Sequence, residues 1–148
     1  MRFIKLIGIS FVAFFLLLTA FTSLIPSEIR ISRAVDIQAE KKMVLPLLLE
    51  DRKWNRWIQD STRVIAVRPI ITSDSLVSAE WTAGDKTFNS SYAVYEVKEG
   101  TVTVQWFFDM KLSWYPWDKL GSIVYDKQMG PVMEESLGKL KQLVESNP

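Results

Sequence analysis

Residues 129–145 limit the possible folds more than any other stretch of this chain. Met129, Met133, Leu137, Leu140 and Val144 recur at the period of one helix face. Gly130-Pro131 places a proline where a first helical turn tolerates it. Glu134 and Glu135 come early and Lys139 and Lys141 later, so the charges complement the helix macrodipole. A helix with so apolar a face needs a partner, and residues 101–112 supply one. Val102, Val104, Trp106, Phe108, Met110 and Leu112 alternate inward against Thr101, Thr103, Gln105, Asp109 and Lys111, with Phe107 an outward exception. The two patterns together predict an α+β fold in which a curved antiparallel sheet packs around a long C-terminal helix.

The rest of the chain fits that plan. In residues 27–38, Ile29, Ile31, Val35 and Ile37 share one strand face, and Arg33 falls among them. A buried arginine must be paired, so Arg33 is either a structural ion pair or a contact for an anionic ligand. Residues 39–50 read as a helix that Pro46 should kink or split. Residues 53–58 read as a second short helix or a tight turn, in which Trp54 and Trp57, three apart, would share a face and plug one end of the core rather than serve a binding role. Further strands are expected at 62–71, with Pro69 marking an end, bulge or edge, and at 76–82 and 88–97, before a turn at Lys98-Glu99-Gly100. Turn signals rather than helices separate these strands, which implies antiparallel pairing. Residues 113–128 read as a long connection with a short helix at 118–125. Its aromatics, Trp114, Tyr115 and Trp117, either close one end of the sheet or lie at a bilayer surface.

The N-terminus carries a separate signal. Arg2 and Lys5 precede an uncharged run over residues 6–25, closed by Pro26. Roughly twenty helical residues span about 30 Å, the thickness of a hydrocarbon core. The alternative, a cleaved signal peptide, needs a small-x-small site, and Ala20-Phe21-Thr22 is a poor one. Residues 1–26 are therefore expected to be a transmembrane anchor and 27–148 a single domain. The basic flank predicts a cytoplasmic N-terminus and a domain on the periplasmic or extracellular side, although Arg30 and Arg33 weigh against that orientation.

Composition removes whole classes of chemistry. The chain has no Cys, which excludes disulfides, thiol nucleophiles and a lipoprotein anchor. It has no His, which excludes Ser-His-Asp and Cys-His catalysis and the usual zinc sites. Eighteen Lys+Arg against seventeen Asp+Glu leave a net charge of +1, with no field to attract nucleic acid. No metal or cofactor is expected.

Several segments resemble one family. Ile31-Ser32-Arg33-Ala34-Val35-Asp36-Ile37-Gln38-Ala39 resembles the first strand of polyketide cyclase/dehydrase-like proteins of the SRPBCC (START-related) superfamily. Trp54-x-x-Trp57 falls where such proteins carry a Trp pair after two short helices. Thr101-Val102-Thr103-Val104-Gln105-Trp106-Phe107-Phe108 resembles their last strand, and Met129-Gly130-Pro131 with Leu137-x-x-Leu140-Lys141 their C-terminal helix. The resemblance covers about residues 27–145 and implies the helix-grip (START/Bet v1-like) fold, with a cavity between helix and sheet suited to apolar ligands. The stretch between Trp57 and Trp81 is shorter than in such proteins, which usually have a further Gly-rich hairpin there. That implies a narrower sheet and a smaller or more open cavity.

On this reading Trp81, Tyr92, Trp106, Phe108, Met110, Met133 and Leu137, with Arg33, are the candidate ligand contacts, and the same spacing would equally make a solid core. Three functions follow. The first is a membrane-tethered, noncatalytic domain binding a lipid or other hydrophobic small molecule at the cell envelope. The second is a protein-interaction or structural envelope module with a vestigial cavity. The third is a cyclase-like enzyme relying on Glu80, Asp109, Tyr92 or Tyr95.

Overall fold

The computed structural model describes residues 2–58, 69–73, 75–83 and 86–146. An apolar helix α1 (Arg2–Thr22) leads into strand β1 (Glu28–Ile37) and two short helices, α2 (Lys41–Leu49) and α3 (Asp51–Trp54). Strands β2 (Pro69–Ser73), β3 (Leu76–Ala83), β4 (Lys86–Lys98) and β5 (Thr101–Lys111) follow, and helix α4 (Pro116–Glu145) ends the fold.

The five strands form one antiparallel sheet in the order β1-β5-β4-β3-β2. Strands β2 to β5 follow one another as a meander. Gly100 makes the β4–β5 turn at φ +76°, a left-handed conformation that glycine adopts without a Cβ clash. β1 then pairs with β5 over its whole length, from Glu28 opposite Lys111 to Ile37 opposite Val102. Register shifts at Glu96/Lys98 and Ile71/Ser73 add local twist to the sheet. Pro69 begins β2 at the sheet edge, where a missing N–H costs no ladder bond.

The core lies between the sheet, α2, the Trp54–Trp57 turn and the second half of α4. Val102, Val104, Trp106, Phe108 and Met110 are buried on β5, and Met133, Leu137, Leu140 and Val144 meet them from α4. Phe107, on the other face, is covered by the guanidinium of Arg30, 4.3 Å above its ring. Outward polar residues therefore shield the one aromatic that breaks the alternation.

Three expectations need correction. Residues 113–128 are not a long connection with a short helix: from Pro116 they form the first half of α4, continuous through Gly130-Pro131 for 30 residues. The proline that starts the helix is Pro116, while Pro131 lies inside it. Pro46 likewise lies within α2 without dividing it. Most of the strand expected at 62–71, and with it the question of a missing hairpin, lies outside the described residues.

Candidate functional site

The inner face of the sheet carries a dense aromatic group. Tyr92 on β4 and Trp106 on β5 are register partners, with ring centroids 5.3 Å apart. Trp57 meets both edge-on at 5.7 and 5.9 Å, Trp54 meets Tyr92 at 6.0 Å, and Phe108 continues the row from Trp106 at 5.4 Å. Tilted and edge-to-face contacts at these distances suit the ring quadrupoles.

Local chemistry fixes the two tryptophans. The last carbonyls of any helix lack partners within it. Here the indole N–H of Trp54 donates to the Leu48 carbonyl at 2.9 Å, and that of Trp57 to the Leu47 carbonyl at 3.3 Å. The pair thus closes the end of α2 while filling the interior, a task Phe could not perform.

This apolar interior also holds polar groups. The Trp106 indole donates to the Ser90 hydroxyl at 2.8 Å. The Tyr92 hydroxyl is fully buried and has no hydrogen-bond partner at bonding geometry among the described residues. Burial pushes its ionisation well above the ordinary phenol range, and the neighbouring Ser90 hydroxyl opposes that only in part. The group stays a neutral donor, and because the unfolded chain ionises first, stability falls only above about pH 10.

At the end of the sheet where β1 begins and β5 finishes lies a cleft of about 670 Å³. Ile29, Met110, Leu112 and Tyr125 form its apolar part, and Arg30, Asp109, Lys111 and Asp118 are among its charged groups. Met110 is also part of the core, so the cleft ends on the same row of β5 side chains that carries Phe108 and Trp106. Both oxygens of Asp109 are engaged by Arg30, at 2.6 and 2.9 Å.

Arg33 is placed differently from a cavity ligand. It lies opposite Trp106 in the ladder, but its guanidinium reaches across α4. Nε donates to Glu134 at 2.7 Å, Nη2 to Asp126 at 3.1 Å and Nη1 to the Ser32 carbonyl at 2.8 Å. Gly130 makes the crossing possible, since a Cβ there would overlap the guanidinium, with Cζ only 2.9 Å away.

The structure thus gathers Tyr92, Trp106, Phe108, Met110, Met133 and Leu137 into one interior, each 5% exposed or less. It sets Arg33 apart on the flank, and the Trp81 side chain lies outside the described residues. The sequence places Leu112 inward and Tyr125 on a short helix but singles out neither as a site residue, because nothing local shows that the start of α4 lies over the end of β5.

Comparison with solved structures places the fold. A START superfamily protein from Mycobacterium smegmatis superposes with a TM-score of 0.61 at 13% identity, covering 80% of this chain and 99% of that one. A protein from Rhodobacter sphaeroides gives 0.62 at 12% identity, covering 80% and 93%. The di-domain ARO/CYC BexL of the BE-7585A biosynthetic pathway gives 0.52 at 16% identity, covering 81% of this chain and 48% of that one. No protein-family model and no curated protein sequence matches the chain. The chain after α1 has the START-like helix-grip fold. α1, with 21 residues and a mean hydropathy of 2.3, is long and apolar enough to cross a membrane.

Proposed function

We propose that this is a membrane-tethered, noncatalytic domain that binds a lipid or other hydrophobic small molecule at the cell envelope. The observation that carries the reading is the cleft, which opens beside the start of α4 and ends on the core residue Met110. Ile29, Met110, Leu112 and Tyr125 give the cleft an apolar side beside its charged rim, and the interior beyond Met110 holds one donor without a partner among the described residues, the Tyr92 hydroxyl, which suits a single ester, keto or hydroxyl oxygen. Catalysis finds little support. Asp109 is held by Arg30, and Glu80 and Tyr95 are exposed, so among the described residues these groups form no acid–base constellation. Tyr92 is a neutral phenol at physiological pH.

A second reading, an interaction or structural module, draws on the packing of Trp54 and Trp57 against Tyr92 and Trp106, which occupies much of the interior. Native mass spectrometry of the full chain, activated until detergent is stripped, separates the two. A stoichiometric apolar adduct, identified after solvent extraction, is the expected result. A clean apo mass after incubation with envelope lipids would overturn the binding reading and select the module.

A further inference from the structure

The outward face of α4 changes character along its length. Met133, Leu137, Leu140 and Val144 define its inward side, so a helix of a water-exposed domain should be polar opposite them. Beyond residue 126 it largely is, with Lys127, Gln128, Glu134 and Glu135 exposed. Over the first two turns it is apolar instead: Trp117, Leu120, Ile123 and Val124 are all exposed, Trp117 and Ile123 by more than half. Trp114 and Tyr115, just before the helix, extend the patch, with Tyr115 stacked on Trp117 at 5.6 Å. These rings do not close the end of the sheet; they project from it.

What the patch adjoins identifies its partner. The Trp117 ring lies 6.0 Å from that of Phe15 in α1. Lys119, buried on the other side of the same turn, donates to the Ile25 carbonyl at 2.8 Å, tying α4 to the segment that follows α1. Phe15 sits about two turns, or about 10 Å, before the end of α1 at Thr22. If α1 crosses a bilayer, a side chain level with Phe15 is below the headgroups. Amphipathic helices that lie in the interface bury their apolar face about 5–10 Å deep, and Trp and Tyr favour that layer. The depth set by α1 and the depth suited to the patch therefore agree.

We propose that the first two turns of α4, with Trp114 and Tyr115, form a second membrane contact that lays the domain on the bilayer beside its own span. The inference rests on α1 crossing the membrane. Its consequence for binding is direct: Asp118 and Tyr125 of the same helical segment line the cleft, so docking brings the cleft to the lipid surface.

The absence of cysteine makes the test clean. Single nitroxide labels at Ala13→Cys, Ile123→Cys and Glu99→Cys are placed in the full chain, reconstituted in phosphatidylethanolamine/phosphatidylglycerol vesicles. Collision with oxygen is compared with collision with a water-soluble nickel chelate. Ala13 reports the span, and Glu99, in the β4–β5 turn at the far end of the sheet, reports water. The expected result is lipid exposure at both Ala13 and Ile123, with an oxygen-to-nickel ratio at Ile123 at least about threefold above that at Glu99. Lipid exposure at Ala13 with an Ile123 ratio equal to that of Glu99 would overturn the docking and leave the span intact. An aqueous Ala13 would overturn the span and the docking with it. Val124→Cys repeats the reading at a second site on the patch, so that a locally disturbed helix does not decide the result.

Discussion

At the scale of single residues, Arg33 and Gly130 form a unit. The arginine occupies an inner-face position of β1 that alternation assigns to an apolar side chain; its side chain is 27% exposed, and its guanidinium is held by two carboxylates of α4. That Arg33 needs a partner is readable from parity. Which partner is not, because Asp126 and Glu134 lie 93 and 101 residues away and meet it only once α4 lies along β1. The glycine is equally mute in sequence, where it reads as part of a Gly-Pro helix start. An alanine at an ordinary interior helix position is better than glycine by about 0.5–1 kcal/mol. At this position the gain competes with displacement of a guanidinium that makes three hydrogen bonds. Gly130→Ala is therefore expected to destabilise the chain by about 1 kcal/mol. In an Arg33→Ala background the same change should stabilise it by about 0.5–1 kcal/mol. Urea unfolding of the four proteins checks the reversal of sign; equal effects in both backgrounds would show that the two residues are independent.

At the scale of elements, α4 shows where sequence periodicity fails. Its second half was legible, because one apolar face runs from Met133 to Val144 against the sheet. Its first half was not, because Trp117, Leu120, Ile123 and Val124 add apolar residues on the face turned away from the core, and the 3.6-residue signal blurs. Pro131 encouraged a boundary as well. Tertiary packing overrides it: Ser136 and Met133 after the proline and Lys119 and Ser122 before it are all buried. The proline nevertheless removes an amide from the middle of a helix and crowds the carbonyl four residues earlier. Its own side chain is exposed, so nothing in the core depends on its shape. Pro131→Ala should stabilise the domain by about 1–2 kcal/mol, the helix gain less the entropy that proline removes from the unfolded chain. A raised urea midpoint with unchanged slope is the expected signature.

At the scale of the whole molecule, the long pairing is that of β1 with β5, which joins the residues just after α1 to the last strand. Together with the contact between Arg33 and α4, it makes β1 the seam of the fold. α1 is different: most of it is exposed, with Phe15, Leu18 and Thr19 half-buried and Thr22 buried, and it meets the rest of the chain at Trp117, while the Ile25 carbonyl just after it accepts from Lys119. The alternation of β1 and β5 made the sheet legible from sequence, whereas the pairing of these two particular strands depends on chain closure that no local pattern records. The asymmetry between α1 and β1 has a measurable outcome. Deleting residues 1–24 keeps every β1–β5 pair and the Lys119 acceptor, so the unfolding free energy should change by less than about 1 kcal/mol. Deleting residues 1–32 removes the pairs from Glu28 to Ser32, uncovers Phe107 and Phe108 along β5, and should abolish cooperative unfolding. Urea titration followed by the emission of the buried Trp57 and Trp106 reads both variants. A shorter chain that had lost its cooperative transition would mean that α1 is part of the folding unit; two equally stable truncations would mean that β1 is not its seam.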